Sequence, residues 1–249
     1  MPDLSSPFVW FLALSAALSI GMAKTGLGGL GIVAVSLFAQ LFPAKESTGA
    51  ILPLMIFADL IAVRFYRCHA NWPDLAKLLP ATLAGIVFGW SIMPLIPDDT
   101  FAVLLGWVIL ALMLLTILQR HRPSIVAAIT GHPLLGLSAG WAMGVTTMLA
   151  NAAGAIAAFY FLTRRMDKMT FVGTAAWFFL IVNLAKVPFS VQLGLINLTS
   201  LRFDLLLLPA VLLGAVAGRI FLHRVPQRTF ELVTTALATA AALRLILGG

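Results

Sequence analysis

A 35-residue apolar stretch, residues 8–42, is the strongest constraint on how this chain folds. A helix that crosses a bilayer needs only about 20 residues, so the stretch is too long for one crossing. Lys24 lies near its middle, beside Thr25 and the glycines at positions 26, 28 and 29. A lysine at membrane depth is costly without a negative partner, and glycines that open a helix expose N–H donors. The stretch predicts a helix break with an anion site formed by Lys24, Thr25, Gly26, Gly28 and Gly29.

The composition places the chain in a membrane. Of its 249 residues 61% are hydrophobic and 10% are charged, whereas soluble domains average about 25% charged residues. We therefore predict an all-α, polytopic helical membrane protein. The net charge of +7 comes from bases in short loops, which is typical of cytoplasmic loops and predicts no nucleic-acid partner. With one cysteine, Cys68, and four scattered histidines, no disulfide, metal site or cofactor is predicted.

The chain also repeats itself. Residues 80–89 match residues 209–218, and residues 97–101 match 226–230, both with an ungapped offset of 129 residues. Farther upstream, Gly49 aligns with Gly173 and Asp59 with Asn183 after a gap. The pattern predicts two homologous membrane repeats, residues 1–122 and 131–249, joined by a cytoplasmic linker at 123–130.

The loop charges predict opposite orientations for the two repeats. Base-rich loops are expected on the cytoplasmic side, which sends the first repeat inward from residue 48 and the second outward from residue 170. Both termini are then extracytoplasmic, in the cytoplasmic (inner) membrane. Segments 8–42 and 133–163 must each begin and end on one side, as re-entrant hairpins or as pairs of crossings. Inverted repeats with broken helices are typical of secondary transporters.

Four polar residues inside or beside apolar runs extend the candidate site. Asn151 lies at the second interruption, where it binds ligand or satisfies freed backbone groups. Asn183 and Lys186 are three apart and share a helical face, and Lys186 either binds the anion or extends to the outer interface. Asp59 lies within the apolar run 54–63, where it pairs with Lys24 or Lys186 or carries a coupling proton.

Several motifs together resemble the TauE/SafE family of sulfite exporters. They are residues 21–29 (GMAKTGLGG), Leu52-Pro53, Asp59, residues 165–168 (RMDK), residues 171–174 (FVGT), Phe178-Phe179 and residues 183–188 (NLAKVP). The resemblance implies a multi-pass prokaryotic membrane protein with duplicated halves that moves sulfite, sulfonates or related organosulfur anions. The chain departs from the family near Asn151, where alanines replace a run of glycines that family members often carry.

These observations predict an exporter of a small anion, not an enzyme, working by alternating access. Lys24 and Lys186 would supply the positive field, and Thr25 and Asn183 would orient the anion. The glycine N–H groups would cap it, and Asp59 would couple transport to protons. The alternatives are an anion channel and an intramembrane enzyme, for which no nucleophile–base pair is visible. The expected partners are the anion, the lipid bilayer and a possible second copy of the chain.

Overall fold

The computed structural model describes residues 5–27, 30–97, 100, 101, 103, 107, 135–164, 166 and 168–224. Within these residues the fold is all helical, as the sequence predicts, with single 3₁₀ turns at Arg67–His69 and Met93–Leu95. The helices described in full are α1 (Pro7–Thr25), α2 (Leu30–Phe38), α3 (Ala44–Ala50), α4 (Leu52–Tyr66), α5 (Trp72–Ile92), α6 (Leu135–Ala150), α7 (Gly154–Thr163), α8 (Lys168–Gln192) and α9 (Leu198–Arg224).

Five helical segments of this part of the chain are long and apolar enough to cross a membrane. They are Pro7–Thr25, Ala44–His69, Trp72–Leu95, Met169–Gln192 and Leu198–Phe221. Their outward faces are apolar as well, with Leu205, Leu213 and Phe88 among the exposed side chains. The chain is therefore a multi-pass membrane protein, which confirms the prediction from composition.

The two unusually long apolar segments each fold into a helical hairpin with one short arm. The first hairpin is α1–α2 and the second is α6–α7. At 1.5 Å per residue, α2 and α7 are only about 14 and 15 Å long, roughly half the thickness of the bilayer core. Each short arm lies back along its partner, because Gly31 faces Ala23 and the Tyr160 hydroxyl lies beside Gly136. Neither short arm can cross the membrane by itself.

The long helices of the two hairpins end in different ways before the turn. α1 ends at Gly26, whose N–H group donates to the Met22 carbonyl. α6 ends before Asn151, which has a φ of 50° and is the one described non-glycine residue with a positive φ. Asparagine tolerates the left-handed region better than most residues, so it can end a helix where glycine is more common. The chain therefore turns at Asn151 although alanines, not glycines, surround this residue.

Glycines bring the hairpins into close contact with two transmembrane helices. Gly85 of α5 lies against Gly144 of α6, and Gly214 of α9 lies against Leu18 of α1. In both pairs the backbones approach so closely that a Cβ would meet backbone atoms of the partner helix. These are the matched glycines of the sequence repeat, and each packs on the long arm of the hairpin from the other half of the chain. Small residues allow this approach in membrane helices.

The helices α4 and α8 cross antiparallel at the centre of the molecule. Asp59 of α4 meets Asn183 of α8, whereas Tyr66 near the end of α4 lies against Gly173 near the start of α8. Ala62 and Val63 pack on Ala176 and Leu180 between these points. The crossing brings together the two residues that the repeat aligns.

The boundaries predicted for the repeats fall largely on residues that the structure does not describe. The predicted linker 123–130 and residues 225–249 of the second predicted repeat lie outside the described residues. The division into repeats 1–122 and 131–249 therefore stays a prediction.

We predict that Gly214→Ala destabilises the protein by about 1–3 kcal/mol, the usual cost of overpacking. The new methyl group would meet the Leu18 backbone, which cannot rotate away as a side chain can. The thermal unfolding of purified protein in detergent measures the effect. Gly136→Ala is the matched control, because its Cβ would be at an ordinary 3.7 Å from the Tyr160 hydroxyl. Equal stability of the two variants would contradict the role given to close helix packing.

Candidate functional site

Lys24 and Asp59 form an ion pair beside the turn of the first hairpin. The Lys24 Nζ lies 2.9 Å from Asp59 Oδ1, with side-chain exposures of 13% and 0%. The same ammonium lies 4.2 Å from the centroid of the Phe179 ring, a cation–π distance. Among the partners that the sequence allows for Asp59, the structure selects Lys24. The proton-coupling role of Asp59 stays a prediction.

Asn183 links the ion pair to α8 through a hydrogen bond with Asp59. Its amide donates to Asp59 Oδ2 over 2.7 Å, so both carboxylate oxygens have a partner. Lys186 lies one turn further along the same helix face and is 1% exposed. Its ammonium donates to Asn151 Oδ1 and, over 3.4 Å, to Thr147 Oγ1. The buried side chain of Lys186 does not extend to an interface.

Asn151 joins the second hairpin to α3. Its side-chain amide donates to the Thr48 carbonyl over 2.8 Å while its oxygen accepts from Lys186. Thr48 lies near the end of α3, where the last carbonyls have no helical partner. Asn151 therefore satisfies a freed backbone group, one of the two roles considered from the sequence, and it also accepts from a buried lysine. Its ligand-binding role stays a prediction.

Two bonded groups, Lys24 with Asp59 and Asn183, and Lys186 with Asn151, meet along one face of α8, and we call these five side chains the polar chain. Its position follows from the fold, because the turn of the first hairpin lies beside α4 and the turn of the second hairpin lies beside α8. The polar chain contains two ammonium groups and one carboxylate. With all three ionised it carries one net positive charge. Such a charge is costly inside a membrane protein unless an anion balances it.

Exposure distinguishes the two lysines. Lys186 is 1% exposed and is held by oxygen atoms of α6 and its turn. The Lys24 side chain is 13% exposed although Asp59, its partner, is fully buried. Lys24 is therefore the more accessible of the two lysines.

The structure does not bring the Thr25 hydroxyl to the polar chain. Thr25 is fully buried, and its hydroxyl donates to the carbonyls of Gly21 (3.0 Å) and Ala215 (2.8 Å). Its own carbonyl accepts from the Tyr66 hydroxyl over 2.9 Å. Thr25 thus joins α1 to α4 and α9 in this structure.

The glycine cluster is only partly described. The N–H groups of Gly26 and Leu27 both donate to the Met22 carbonyl and close the end of α1. Gly28 and Gly29 lie outside the described residues. Capping of an anion by this cluster stays a prediction for Gly28 and Gly29.

Two contact residues of the polar chain were not among the residues predicted from the sequence. Phe179 precedes Asn183 by four residues, and Thr147 precedes Asn151 by four residues. Residues four apart share a helix face, so this spacing was the available signal. The described residues contain no group of three His, Cys, Asp or Glu side chains that could hold a metal ion.

Comparison with curated proteins and with solved structures gives no match. The family model described as sulfite exporter TauE/SafE matches residues 13–245, which include every described residue of the polar chain. A match over nearly the whole length agrees with the resemblance found in the separate motifs. The helical membrane fold described above is also what such a transporter requires. The chain therefore belongs to the TauE/SafE family of sulfite exporters.

Proposed function

We propose that the protein exports sulfite or a related small organosulfur anion across the cytoplasmic membrane, and that the polar chain binds it. The observation that carries the proposal is that two lysines and a single carboxyl group come together where two helix breaks approach the α4–α8 crossing. Lys24 supplies the reachable ammonium group, and Lys186 and Asn183 set the field and geometry around it. An oxyanion accepts charge-assisted hydrogen bonds from such donors.

Inverted repeats and alternating access are part of this proposal. The antiparallel crossing of α4 and α8 supports inversion, because the repeat aligns Asp59 of the first helix with Asn183 of the second. The glycine contacts of α5 with α6 and of α9 with α1 support it as well, since each half packs on the hairpin of the other. Two such units can rock around a shared site, which is the usual motion of transporters with inverted repeats.

We predict that proteoliposomes containing the protein take up labelled sulfite faster when they are preloaded with unlabelled sulfite. A carrier that alternates access returns more rapidly when it is loaded, whereas an anion channel shows no such exchange. Empty liposomes and preloading with chloride are the controls. Uptake without acceleration would favour the channel, and absence of uptake would contradict the proposed substrate class.

We predict that Lys24→Met abolishes the rise in melting temperature that sulfite produces, and lowers stability by about 3–5 kcal/mol. The loss of stability follows because a fully buried carboxylate, Asp59, is left without its ion-pair partner. The double variant Lys24→Met/Asp59→Asn should regain most of the stability but not the sulfite response. Thermal unfolding with and without sulfite measures both effects.

Two further lysines serve as comparisons for Lys24→Met. Lys186→Met should lose the sulfite response with a smaller loss of stability, because its hydrogen-bond partners Asn151 and Thr147 are neutral. Lys77→Met, at an exposed position on α5, should behave as wild type. A Lys24→Met variant that keeps its sulfite response would remove Lys24 from the anion site.

We predict that the C-terminus and the loop 120–132 lie on opposite sides of the membrane. The base-rich loops require the loop to be cytoplasmic and both termini to be extracytoplasmic. Reporter fusions after Gly249 and within 120–132 measure the two locations, and a fusion at residues 67–71, inside the base-rich segment 64–77, is the cytoplasmic reference. Reporters on the same side would refute the inverted topology.

A further inference from the structure

Asp204 is a buried carboxyl group without a partner among the described residues. It lies seven residues into α9 and is 3% exposed. Neither of its oxygens has a hydrogen-bond partner, and no described cation forms an ion pair with it. This arrangement differs from Asp59, whose two oxygens are held by Lys24 and Asn183. Burying an unpaired carboxylate costs more free energy than burying the neutral acid.

The neighbouring positions of α9 supply no polar group for Asp204. Phe203 and Leu207 are buried apolar residues of the core cluster that includes α1. Ser200 lies one turn earlier, but its hydroxyl donates to the Asn197 carbonyl over 2.9 Å and accepts from the Asn197 N–H group. Asp204 therefore lies in largely apolar surroundings on its own helix.

Among the described residues, no charged or titratable side chain of the helices packed against α9 forms a hydrogen bond or an ion pair with Asp204. α9 packs on α1, α3 and α4. Their charged or titratable side chains are Lys24 on α1, Lys45 and Glu46 on α3, and Asp59, Arg64 and Tyr66 on α4. Glu46 accepts from the Asn197 amide over 3.1 Å, and the Tyr66 hydroxyl donates to Thr25. The charged side chains of α9 itself are Arg202, Arg219 and Arg224, and none pairs with Asp204.

Asp204 lies on the turn of α9 that packs against the open end of the first hairpin, which we call the hairpin base. The adjacent Phe203 ring is 5.9 Å from the Trp10 ring near the start of α1 and 6.0 Å from the Phe42 ring after α2. Phe203 thus contacts both sides of the hairpin at its open end. Lys24 lies near the turn at the opposite end of the same hairpin. A change at Asp204 therefore acts on the element that carries the reachable cation.

We propose that Asp204 is a proton-binding site at the hairpin base, through which a proton gradient acts on anion transport. One proton adds to a carboxylate oxygen to give the neutral acid, and the same proton leaves when the base of the hairpin opens to water. A metal ion would need several oxygen ligands, and the described residues contain no cluster of acidic groups around Asp204. The inference rests on the proposed function, because it assigns a coupling site to that transporter at a place distinct from Asp59.

The test measures sulfite counterflow and proton-driven sulfite uptake in the same proteoliposomes. Asp204→Asn keeps the shape of the neutral acid but cannot exchange a proton. We expect this variant to keep wild-type counterflow, which needs no net proton movement, and to lose the acceleration that a proton gradient gives to wild type. Asp204→Glu should restore part of that acceleration. Glu46→Gln is the matched control, a carboxyl group on α3 joined to the loop before α9, and should respond as wild type.

The outcomes separate this inference from the proposed function. Absence of counterflow in wild type contradicts the proposed function itself. Normal counterflow in all proteins, with an unchanged proton response in Asp204→Asn, overturns the assignment of Asp204 alone. Wild-type uptake that responds to a sodium gradient and not to a proton gradient overturns the identity of the ion. An Asp204→Asn variant without counterflow but with wild-type unfolding temperature would place Asp204 in substrate movement and also overturn the proposal.

Discussion

The ion pair of Lys24 and Asp59 governs the centre of this protein, because neither charge can remain alone at membrane depth. Asp59 is fully buried, and both of its oxygens are occupied by Lys24 and Asn183. Those two contacts tie the end of α1 to the α4–α8 crossing. The position of the hairpin turn, the exposure of Lys24 and the location of Lys186 on the next turn of α8 all depend on this arrangement.

The two halves contribute different chemistry to the same place. The first half brings a cation on its hairpin and a carboxylate on α4. The second half brings a cation on α8 and neutral oxygen ligands at its hairpin turn. Because the acid occurs in one half only, the site has two lysines and a single carboxyl group. A strictly symmetric pair of helices would repeat either the acid or the amide. The difference between Asp59 and Asn183 therefore leaves one lysine without an acidic partner, which we associate with anion binding.

The first hairpin has a charged or titratable side chain near each of its two ends. At the turn of the first hairpin, Lys24 is partly exposed beside buried partners. At its base, Phe203 contacts Trp10 and Phe42 while the adjacent Asp204 has no described partner. The nine-residue helix α2 is much shorter than a transmembrane helix and lies between these two ends. This gives a physical route by which proton binding at one end could alter anion access at the other.

The sequence by itself determined the class of fold and most members of the polar chain. Long apolar runs can be stable as helices in a bilayer, because the backbone must satisfy its own hydrogen bonds there. Polar residues within such runs are rare enough to be identified singly, so Lys24, Asp59, Asn151, Asn183 and Lys186 could be named without coordinates. Family membership followed from the same motifs.

Only the tertiary structure decided which of these residues are partners. Asp59 pairs with Lys24 rather than with Lys186, and this depends on the approach of α1 to the α4–α8 crossing. The Thr25 hydroxyl joins helices instead of the polar chain because Gly218 lets α9 pack closely beside it. The sequence also could not distinguish Asp204 from a solvated acid near a helix start. Its isolation depends on the packing of α9 against α1 and α3, and such long-range contacts leave no periodic signal in the chain.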